Sequence, residues 1–505
     1  MAALRNCSFI PQRWVVVLMA FFGLFNAYSM RICLSIAITQ MVQPSIGSVE
    51  YVDDTCPDYH NNDNTTINNN NDTDIDGQLY DWSEYTQGII LSSFYWGYLL
   101  TNLPGGVIAE RFGGKHTLGL GILSTAVLTI LTPSCVIWGG STALVYLRVL
   151  MGFCEGATYP AISVLLSQWV PQNERSKAGS VAFSGAPLGT IFGMTASGLI
   201  LQYSAGTGWP MVFYFFGGVG IVNFFLNSML CYNKPTEHPF ISEAETKLLK
   251  KQLKHTHESV PPTPWRHILT SLPVWALMVA TIGNSWGFLT ICSDMPKYMS
   301  SVLKFSVREN GYFSSLPYLC MWLTSCLASW LSDRLISGGA ASISAVRKIG
   351  CTIASLGPGV FVVAVSYAGC DGFLAVAMLT IGMALMGCAI SSILINALDL
   401  GPNYAGTIMG LANGISTLSG IVSPYVVGVI TPNQTISEWR AVFWIVFAFF
   451  VVSNAFYLVY GSGELQEWND PKFLKKERRL ADSADVKKES ELLAVESQFT
   501  DHVEP

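Results

Sequence analysis

The chain has 505 residues, half of them apolar and only 12% charged, which is about half the charged share of an ordinary soluble domain. This composition excludes a water-soluble globular protein and indicates a polytopic membrane protein, whose fold must be predicted from hydropathy and loop charge. The net charge of −6 says little about partners, because the membrane separates the charges of its two sides.

Twelve apolar segments are each long enough for a helix to cross a bilayer, which takes about 20 residues. We number them spans 1 to 12, and they cover 14–40, 85–109, 116–137, 143–168, 178–202, 209–231, 272–296, 310–333, 346–367, 372–397, 405–430 and 440–460. An even number of spans places both termini on the same side of the membrane.

Loop charge predicts which side that is. Most basic residues of the loops, the central segment and the tail fall on one side, and basic residues favour the cytoplasm. Lys297, Lys304, Arg308 and Arg440 form a minority on the other side. The predicted divisions are a cytoplasmic N-terminus (1–13), an N-terminal six-helix bundle (14–232), a cytoplasmic linker (233–271), a C-terminal six-helix bundle (272–460) and a cytoplasmic tail (461–505).

The first outer loop, 42–83, contains no Lys or Arg and includes the run NNDNTTINNNNDTDID, which is typical of disorder. N-glycosylation sequons begin at Asn64 and Asn71 in this loop and at Asn433 in the last outer loop. All three lie on the predicted outer side, which supports the topology. The twelve Cys residues show no metal-ligand spacing, and any pairing among Cys56, Cys135 and Cys370 is left open.

Span 4 carries two charges, Arg148 and Glu155, in an otherwise apolar helix. Seven residues are close to two turns, so both charges lie on one face, about 10 Å apart along the axis. Each costs roughly 3 kcal/mol or more at mid-membrane unless it faces other helices, water or a partner. We therefore predict that this face lines an interior cavity, with a buried ion pair that serves no ligand as the alternative.

The turns after spans 2 and 8 share a pattern in which an acid and an Arg leave the span together. Gly106, Glu110, Arg111, Gly113 and Lys115 join spans 2 and 3, and Asp333 and Arg334 end span 8. We predict charge pairs at both turns that latch neighbouring helices and break when the halves rock. The recurrence predicts an all-α membrane protein of twelve helices in two parallel six-helix repeats. The many glycines of spans 5 and 11 predict close packing between the halves, with helix packing alone as their alternative role.

Five segments together carry a family likeness. They are YSMRICLSIA around Arg31, SSFYWGYLLTNLPGGVIAERFGGK at 92–115, GFCEGATYP around Glu155, WVPQNERSK at 169–177 and NALDLGPNYAG at 396–406. As a set they resemble the major facilitator superfamily and, within it, the anion:cation symporter family of sodium/phosphate cotransporters, sialin and the vesicular glutamate transporters. The resemblance implies the major facilitator fold and no bound cofactor, with Na⁺ or H⁺ carried beside the solute.

The chain departs from that family at three positions. The sialin-like and glutamate-transporter branches carry a His where this chain has Ser163, and the glutamate transporters carry an Arg where it has Asn284. Sialin carries a second acid where this chain has Met151. The departures disfavour those two branches, so the resemblance favours the inorganic phosphate cotransporters.

The predicted substrate site combines charged and neutral side chains. Guanidinium groups bind carboxylate or phosphate through two hydrogen bonds and stay charged at physiological pH, which assigns Arg31 and Arg148 to an anionic substrate. We predict that Arg31 contacts the substrate, that Arg148 also pairs with Glu155, and that Glu155 is the coupling residue. Asn284, Ser184, Asn413 and Tyr95 are predicted to add neutral hydrogen bonds, with helix packing as their alternative role.

These residues predict a secondary active symporter of a small anion that works by alternating access. The first candidate is inorganic phosphate with Na⁺, and the second is a sialic acid-like or other carboxylated anion with H⁺. A receptor or scaffold that transports nothing is a third class, against which the three charged residues argue. The sequence has no nucleophile–base motif, HExxH motif or phosphate loop, so we expect no enzyme activity. We expect a monomer surrounded by lipid in the plasma or endolysosomal membrane, without a nucleic-acid partner.

Overall fold

The computed structural model describes residues 11–42, 80–82, 84–203, 208–252, 263–301, 307–431, 435–470 and 472–473. The predicted glycosylation sites Asn64, Asn71 and Asn433 lie outside the described residues, as do Cys56 and most of the loop 42–83. Cys135 has a free thiol, whereas Cys370 is disulfide-bonded.

Almost all of the described chain is helical, because a segment in lipid must satisfy its backbone hydrogen bonds internally. The helices are α1 (Gln12–Met41), α2 (Glu84–Phe112), α3 (Gly114–Glu155), α4 (Thr158–Trp169), α5 (Arg175–Phe183), α6 (Gly185–Tyr203), α7 (Trp209–Leu230), α8 (Glu243–Gln252), α9 (Trp265–Thr270), α10 (Leu272–Ser301), α11 (Val307–Ser337), α12 (Ile343–Val365), α13 (Gly372–Met386), α14 (Asn396–Leu400), α15 (Ala405–Ile430) and α16 (Ile436–Tyr460). A π-helical turn, Ile390–Leu394, lies between α13 and α14.

The twelve predicted spans all fall on these helices. Within the described ranges, nine stretches are long and apolar enough to cross a membrane, and one of them, Gly114–Trp169, contains both span 3 and span 4. Gly140, with a φ of 58°, separates these two spans inside α3. Spans 2 and 8 lie on α2 and α11, which are not among the nine stretches. The all-helical membrane fold is confirmed, and the number twelve stays a prediction.

Three spans that were predicted as continuous helices are interrupted. Span 4 breaks between α3 and α4 at Gly156, span 5 breaks between α5 and α6 at Ser184, and span 10 contains the π-helical turn. Broken helices at membrane depth are tolerated where they are buried in protein or line a cavity. The breaks therefore indicate that spans 4, 5 and 10 face a protein interior or a cavity at these positions.

Helix contacts group the spans within each half and join the halves along two seams. Span 2 packs against spans 3 and 4, span 1 against spans 5 and 6, and span 7 against spans 11 and 12. Across the halves, span 2 packs on span 11 and span 5 packs on span 8. We call these contacts the 2–11 seam and the 5–8 seam.

Glycines let some spans approach to backbone contact. A Cβ added at Gly152 would overlap the Phe94 carbonyl oxygen, and one at Gly410 would overlap the Asn102 carbonyl oxygen. The second contact lies in the 2–11 seam, where close packing between the halves was predicted. Gly185 of span 5 instead packs against the backbone of span 1 in its own half. The predicted position of that glycine between the halves is wrong, because its face of span 5 turns towards span 1.

Replacement of Gly152 with Ala is expected to destabilise the fold by about 1–3 kcal/mol, because the added Cβ must push spans 2 and 4 apart. The matched control is Gly218→Ala, since a Cβ at Gly218 meets nothing within 4 Å and Ala favours a helix. Thermal unfolding of the purified variants measures the difference. Equal unfolding midpoints for the two variants would contradict the backbone contact at Gly152.

Candidate functional site

A cavity of about 190 Å³ lies between the two halves. Spans 1, 2, 4 and 5 line it from one side, and spans 7, 8, 10 and 11 line it from the other. Arg31 is the one basic side chain of the described chain that lines this cavity. An anion that enters the space would therefore meet the charge of Arg31 first.

An ion pair and several aromatic rings hold the guanidinium of Arg31. Its Nη2 lies 2.5 Å from Glu155 Oε1, and both side chains are buried. The Cζ atom lies 4.5 Å from the ring centroids of Tyr28 and Phe94 and 4.8 Å from that of Tyr98. A desolvated cation over an aromatic face gains about 2 kcal/mol, which offsets part of the cost of burying Arg31. We call Tyr28, Phe94 and Tyr98 the Arg31 cage.

Glu155 has unused bonding capacity at this pair. Its Oε2 is buried and has no hydrogen-bond donor in the part of the chain that the structure describes. An ionised carboxylate can accept several hydrogen bonds or a cation at its two oxygens. Glu155 can therefore take a proton or a metal cation in addition to, or in place of, Arg31.

Arg148 takes a different partner from the one predicted. Its Nη2 donates to the Arg31 carbonyl oxygen at 3.4 Å, and its Cζ lies 5.0 Å from the ring centroid of Phe94. It is buried and does not line the cavity. The predicted pair of Arg148 with Glu155 is wrong, because about 10 Å separates them along the helix axis and Arg31 of span 1 takes the carboxylate.

The predicted neutral residues divide into two groups. Tyr95, Asn284 and Asn413 line the cavity, and their contact with a substrate stays a prediction. Ser184 does not line it, and its Oγ donates to the Val181 carbonyl oxygen at 2.8 Å within its own helix. The Ser184 hydroxyl is thus bonded to the preceding helical turn, which fits the alternative role in packing.

Sequence reasoning missed the aromatic lining of the cavity. Tyr28, Tyr98 and Tyr159 all line it, and the hydroxyls of Tyr28 and Tyr159 lie 3.0 Å apart. The signal was present, because Tyr28 precedes Arg31 by three residues and so shares its helix face. Tyr98 follows Tyr95 by the same spacing.

On the predicted cytoplasmic side, two carboxylates bind helix N-termini of the opposite half. Glu110, at the end of span 2, accepts hydrogen bonds from the Thr407 N–H at 2.6 Å and the Thr407 hydroxyl at 2.9 Å. Asp333, at the end of span 8, accepts from the N–H groups of Ser176 at 3.2 Å and Lys177 at 2.8 Å. A helix N-terminus offers unpaired N–H groups and a partial positive charge. We call these contacts the Glu110 latch and the Asp333 latch.

The predicted charge pairs at these turns are therefore wrong, since backbone N–H groups and a hydroxyl bind the two acids. The basic residues take other positions: Arg111 is exposed, the Lys115 Nζ lies 4.6 Å from the Tyr232 ring centroid, and the Arg334 Cζ lies 5.2 Å from that of Trp330. Helix N-termini outcompete them because they already lie opposite the acids across the seams.

The two glycines of the first turn have structural roles. Gly113 adopts a φ of 92°, a conformation that glycine adopts without strain, and so allows the sharp turn into span 3. A Cβ at Gly106 would overlap the Gly406 carbonyl oxygen. Gly106 therefore lets spans 2 and 11 come close enough for the Glu110 latch to form.

A third contact between the halves is a buried charge network that was not predicted as a site. Asp399 lies 2.8 Å from Arg347 Nε and 3.4 Å from Arg175 Nη1, and all three side chains are buried. Arg175 follows span 4 in the first half, whereas in the second half Arg347 lies at the start of span 9 and Asp399 directly follows span 10. One carboxylate thus joins two guanidinium groups across the halves.

Two helical halves around a cavity with a buried cation, closed on one side by latches, define a membrane transporter. Residues 19–424 match the family described as Major Facilitator Superfamily. The chain is 40% identical to Sialin of Homo sapiens, with 90% of each chain covered, and 38% identical to the "Putative inorganic phosphate cotransporter" of Drosophila melanogaster, with 91% and 86% covered. It is 32% identical to Vesicular glutamate transporter 1 of Bos taurus, with 94% and 81% covered.

Solved structures share the fold. The proton:xylose symporter XylE superposes with a TM-score of 0.66 at 14% identity, covering 90% of this chain and 97% of that one. The fucose:proton symporter FucP of E. coli superposes with a TM-score of 0.56 at 15% identity, covering 87% and 97%. The chain belongs to the Major Facilitator Superfamily, in the family that includes sialin, the inorganic phosphate cotransporters and the vesicular glutamate transporters.

Replacement of Asp399 with Asn is expected to weaken the contact between the halves, because it leaves Arg175 and Arg347 buried without their carboxylate. Loss of one partner of a buried ion pair costs about 3–5 kcal/mol. Thermal unfolding in detergent and the rate of proteolysis at 169–177 measure the effect. The matched control is Glu464→Gln, which changes an exposed acid. If both variants unfold and are cleaved like the unmodified protein, the network does not stabilise the contact between the halves.

Proposed function

We propose that the chain is a secondary active symporter of a small anion and works by alternating access around the central cavity. The observation that supports this most directly is the placement of Arg31, a buried cation that lines the cavity between two halves. A guanidinium at membrane depth is costly unless a partner or a ligand neutralises it. No step of the proposed cycle alters the substrate chemically.

The Arg31–Glu155 pair supplies the coupling between anion and cation. While the cavity is empty, Glu155 neutralises Arg31, so an anion must compete with that carboxylate. A proton or Na⁺ on Glu155 would lower its attraction for Arg31 and release the guanidinium for the anion. Cation and anion then bind cooperatively, which is the thermodynamic requirement for symport.

Inorganic phosphate with Na⁺ is the first candidate pair. The chain has Ser163, Met151 and Asn284 at positions where the sialin-like or glutamate-transporter branches carry a His, an acid and an Arg. A relative covering nearly the whole chain carries inorganic phosphate cotransport in its name. Phosphate also suits the paired N–H groups of a guanidinium.

A carboxylated organic anion with H⁺ is the second candidate pair, and the cavity lining favours it. Tyr28, Tyr98, Tyr159 and Phe183 line the cavity together with several aliphatic side chains. Such surfaces contact an apolar or ring-shaped body better than the oxygens of a small inorganic ion. In this case Arg31 would bind the carboxylate and the aromatic rings would contact the rest of the solute.

Uptake into proteoliposomes that contain the purified protein tests the function and separates the two candidates. Radiolabelled phosphate and radiolabelled N-acetylneuraminate are each offered with an inward Na⁺ gradient, an inward proton gradient or no gradient. We expect phosphate to accumulate with the Na⁺ gradient. Accumulation of N-acetylneuraminate with the proton gradient would support the second candidate, and no uptake of either anion would contradict both.

In the same assay, Arg31→Ala is expected to reduce anion uptake to the level of empty liposomes. Among the described residues, Arg31 is the one basic side chain that lines the cavity, and this variant removes it. Arg31→Lys keeps the charge but loses the fork of N–H groups, and is expected to retain weak uptake with a raised KM. Size-exclusion profiles confirm that each variant is folded. Full uptake by folded Arg31→Ala would refute the assigned role.

Glu155→Gln is expected to separate coupling from translocation. Gln cannot ionise, so Arg31 stays available to the anion while no proton or Na⁺ is taken up by residue 155. We expect gradient-driven accumulation to disappear while exchange of labelled for unlabelled anion continues. Accumulation that still follows the cation gradient in this variant would exclude Glu155 as the coupling residue.

A further inference from the structure

The 2–11 seam is continuous from the Glu110 latch to the Arg31 cage. Span 2 contributes four residues that recur every fourth position and so form one ridge of the helix: Tyr98, Asn102, Gly106 and Glu110. Span 11 meets this ridge with Asn413, Gly410, Gly406 and Thr407. Each step of the ridge therefore has a partner in the opposite half.

Asn413 forms the end of this ridge nearest the substrate site. Its Nδ2 donates to the Tyr98 hydroxyl at 3.0 Å and to Asn102 Oδ1 at 2.8 Å. The orientation of the amides follows from the network, because Asn102 Nδ2 is already engaged with the Tyr98 carbonyl oxygen at 2.9 Å. Asn102 must then present its oxygen, and Asn413 must present its nitrogen.

Both N–H groups of Asn413 are used in this arrangement, since an amide nitrogen carries only two. In this arrangement Asn413 has no N–H left for an anion, although it lines the cavity, so only its amide oxygen is left for the predicted contact with the substrate. Its contact with the site runs through Tyr98, whose ring lies 4.8 Å from the Arg31 guanidinium. The bond ties a wall of the Arg31 cage to the opposite half.

The 5–8 seam lacks such a connection in the part of the chain that is described. Between the Asp333 latch and the cavity, Ser329 and Ser180 have buried hydroxyls without a hydrogen-bond partner. The Ser325 hydroxyl donates to the Trp322 carbonyl oxygen of its own helix. Each seam has a latch, but the two seams differ in the contacts between the latch and the cavity. Among the described residues, the 2–11 seam joins its latch to the substrate site through hydrogen bonds and backbone contact, and the 5–8 seam does not.

We propose that Asn413 is a positioning residue that holds Tyr98 against Arg31 only while spans 2 and 11 are in contact. The anion site is then complete when the gate at the Glu110 latch is closed, and it loosens when the seam opens and the Asn413–Tyr98 bond breaks. The affinity for the anion thereby depends on which side the cavity faces. The inference rests on the proposed function and adds the residue that links site to gate.

The first test measures the KM and the maximal rate of uptake for Asn413→Ala, Tyr98→Phe and the double variant in proteoliposomes. The probe is radiolabelled phosphate, or N-acetylneuraminate if the unmodified protein carries that anion instead. Asn413→Ala removes the hydrogen bonds to Tyr98 and Asn102, of which only the first reaches the Arg31 cage, so KM is expected to rise about three- to tenfold, the worth of that one bond. Tyr98→Phe keeps the ring and loses the acceptor, so the same rise is expected.

If Asn413 acts through Tyr98, the double variant has a KM no higher than the larger single value. Ser423→Ala is the matched control: it removes a buried hydrogen bond of span 11 with Thr290 of span 7, within one half, and should leave KM unchanged. An unchanged KM for Asn413→Ala, or a double variant whose rise is the product of the single rises, would overturn the inference while leaving the proposed function intact.

The second test asks whether the latch and the site are coupled. Glu110→Gln replaces the carboxylate at Thr407 with a neutral amide, which has one accepting oxygen and forms weaker hydrogen bonds, so the seam should open more readily and KM from the outer side should rise. In an Asn413→Ala background the same change is expected to raise KM by a smaller factor, because the link is already broken. Equal factors in both backgrounds would overturn the inference. If the unmodified protein carries neither probe, the proposed function fails, and this inference fails with it.

Discussion

The contact on which the structure and its proposed mechanism depend is the buried ion pair between Arg31 of span 1 and Glu155 of span 4. Neither charge would be tolerated alone at membrane depth, and together with the aromatic cage they make the centre of the first half stable without a ligand. The same pair also makes the affinity of the site for an anion depend on a cation. Any cation that satisfies Glu155 leaves Arg31 in need of an anion, so two solutes of opposite charge favour each other's binding.

The gate uses a different device, in which carboxylates bind helix N-termini. Glu110 and Asp333 each end a span of one half and bind the first turn of a span in the other half, and the internal repeat relates the two latches. Backbone N–H groups at a helix end can be hydrated when the latch opens, so opening a latch would not leave these N–H groups unpaired. The Asp399 network adds charge pairing on the same side. Under our proposal, the Asn413–Tyr98 bond makes the anion affinity of the cavity depend on whether the Glu110 latch is closed.

Hydropathy, charge placement and the repeated turn were enough to predict the helical membrane fold and to single out Arg31, Arg148 and Glu155. They were not enough to predict which arginine pairs with Glu155, because that depends on how far a side chain of span 1 reaches across to span 4. The partners of Glu110 and Asp333 were missed for a similar reason: backbone N–H groups carry no sequence signature. Of the aromatic cage, only Tyr28 could be linked to Arg31 by helical spacing, which by itself also fits ordinary packing, whereas Phe94 and Tyr98 lie on another span. The breaks in spans 4 and 5 each lie about one turn before a proline, Pro160 and Pro187, which removes an intrahelical hydrogen bond, so these two breaks had a local signal that the prediction did not use.

The central claim, that a cation on Glu155 releases Arg31 to the anion, is tested most directly by equilibrium binding to the purified protein. Titration of the transported anion at a series of Na⁺ concentrations and pH values gives its dissociation constant as a function of each cation. The account predicts that the anion binds more tightly as one of the two cations rises, and that the anion tightens binding of that cation by the same factor. An anion affinity that is independent of both Na⁺ and pH would contradict it.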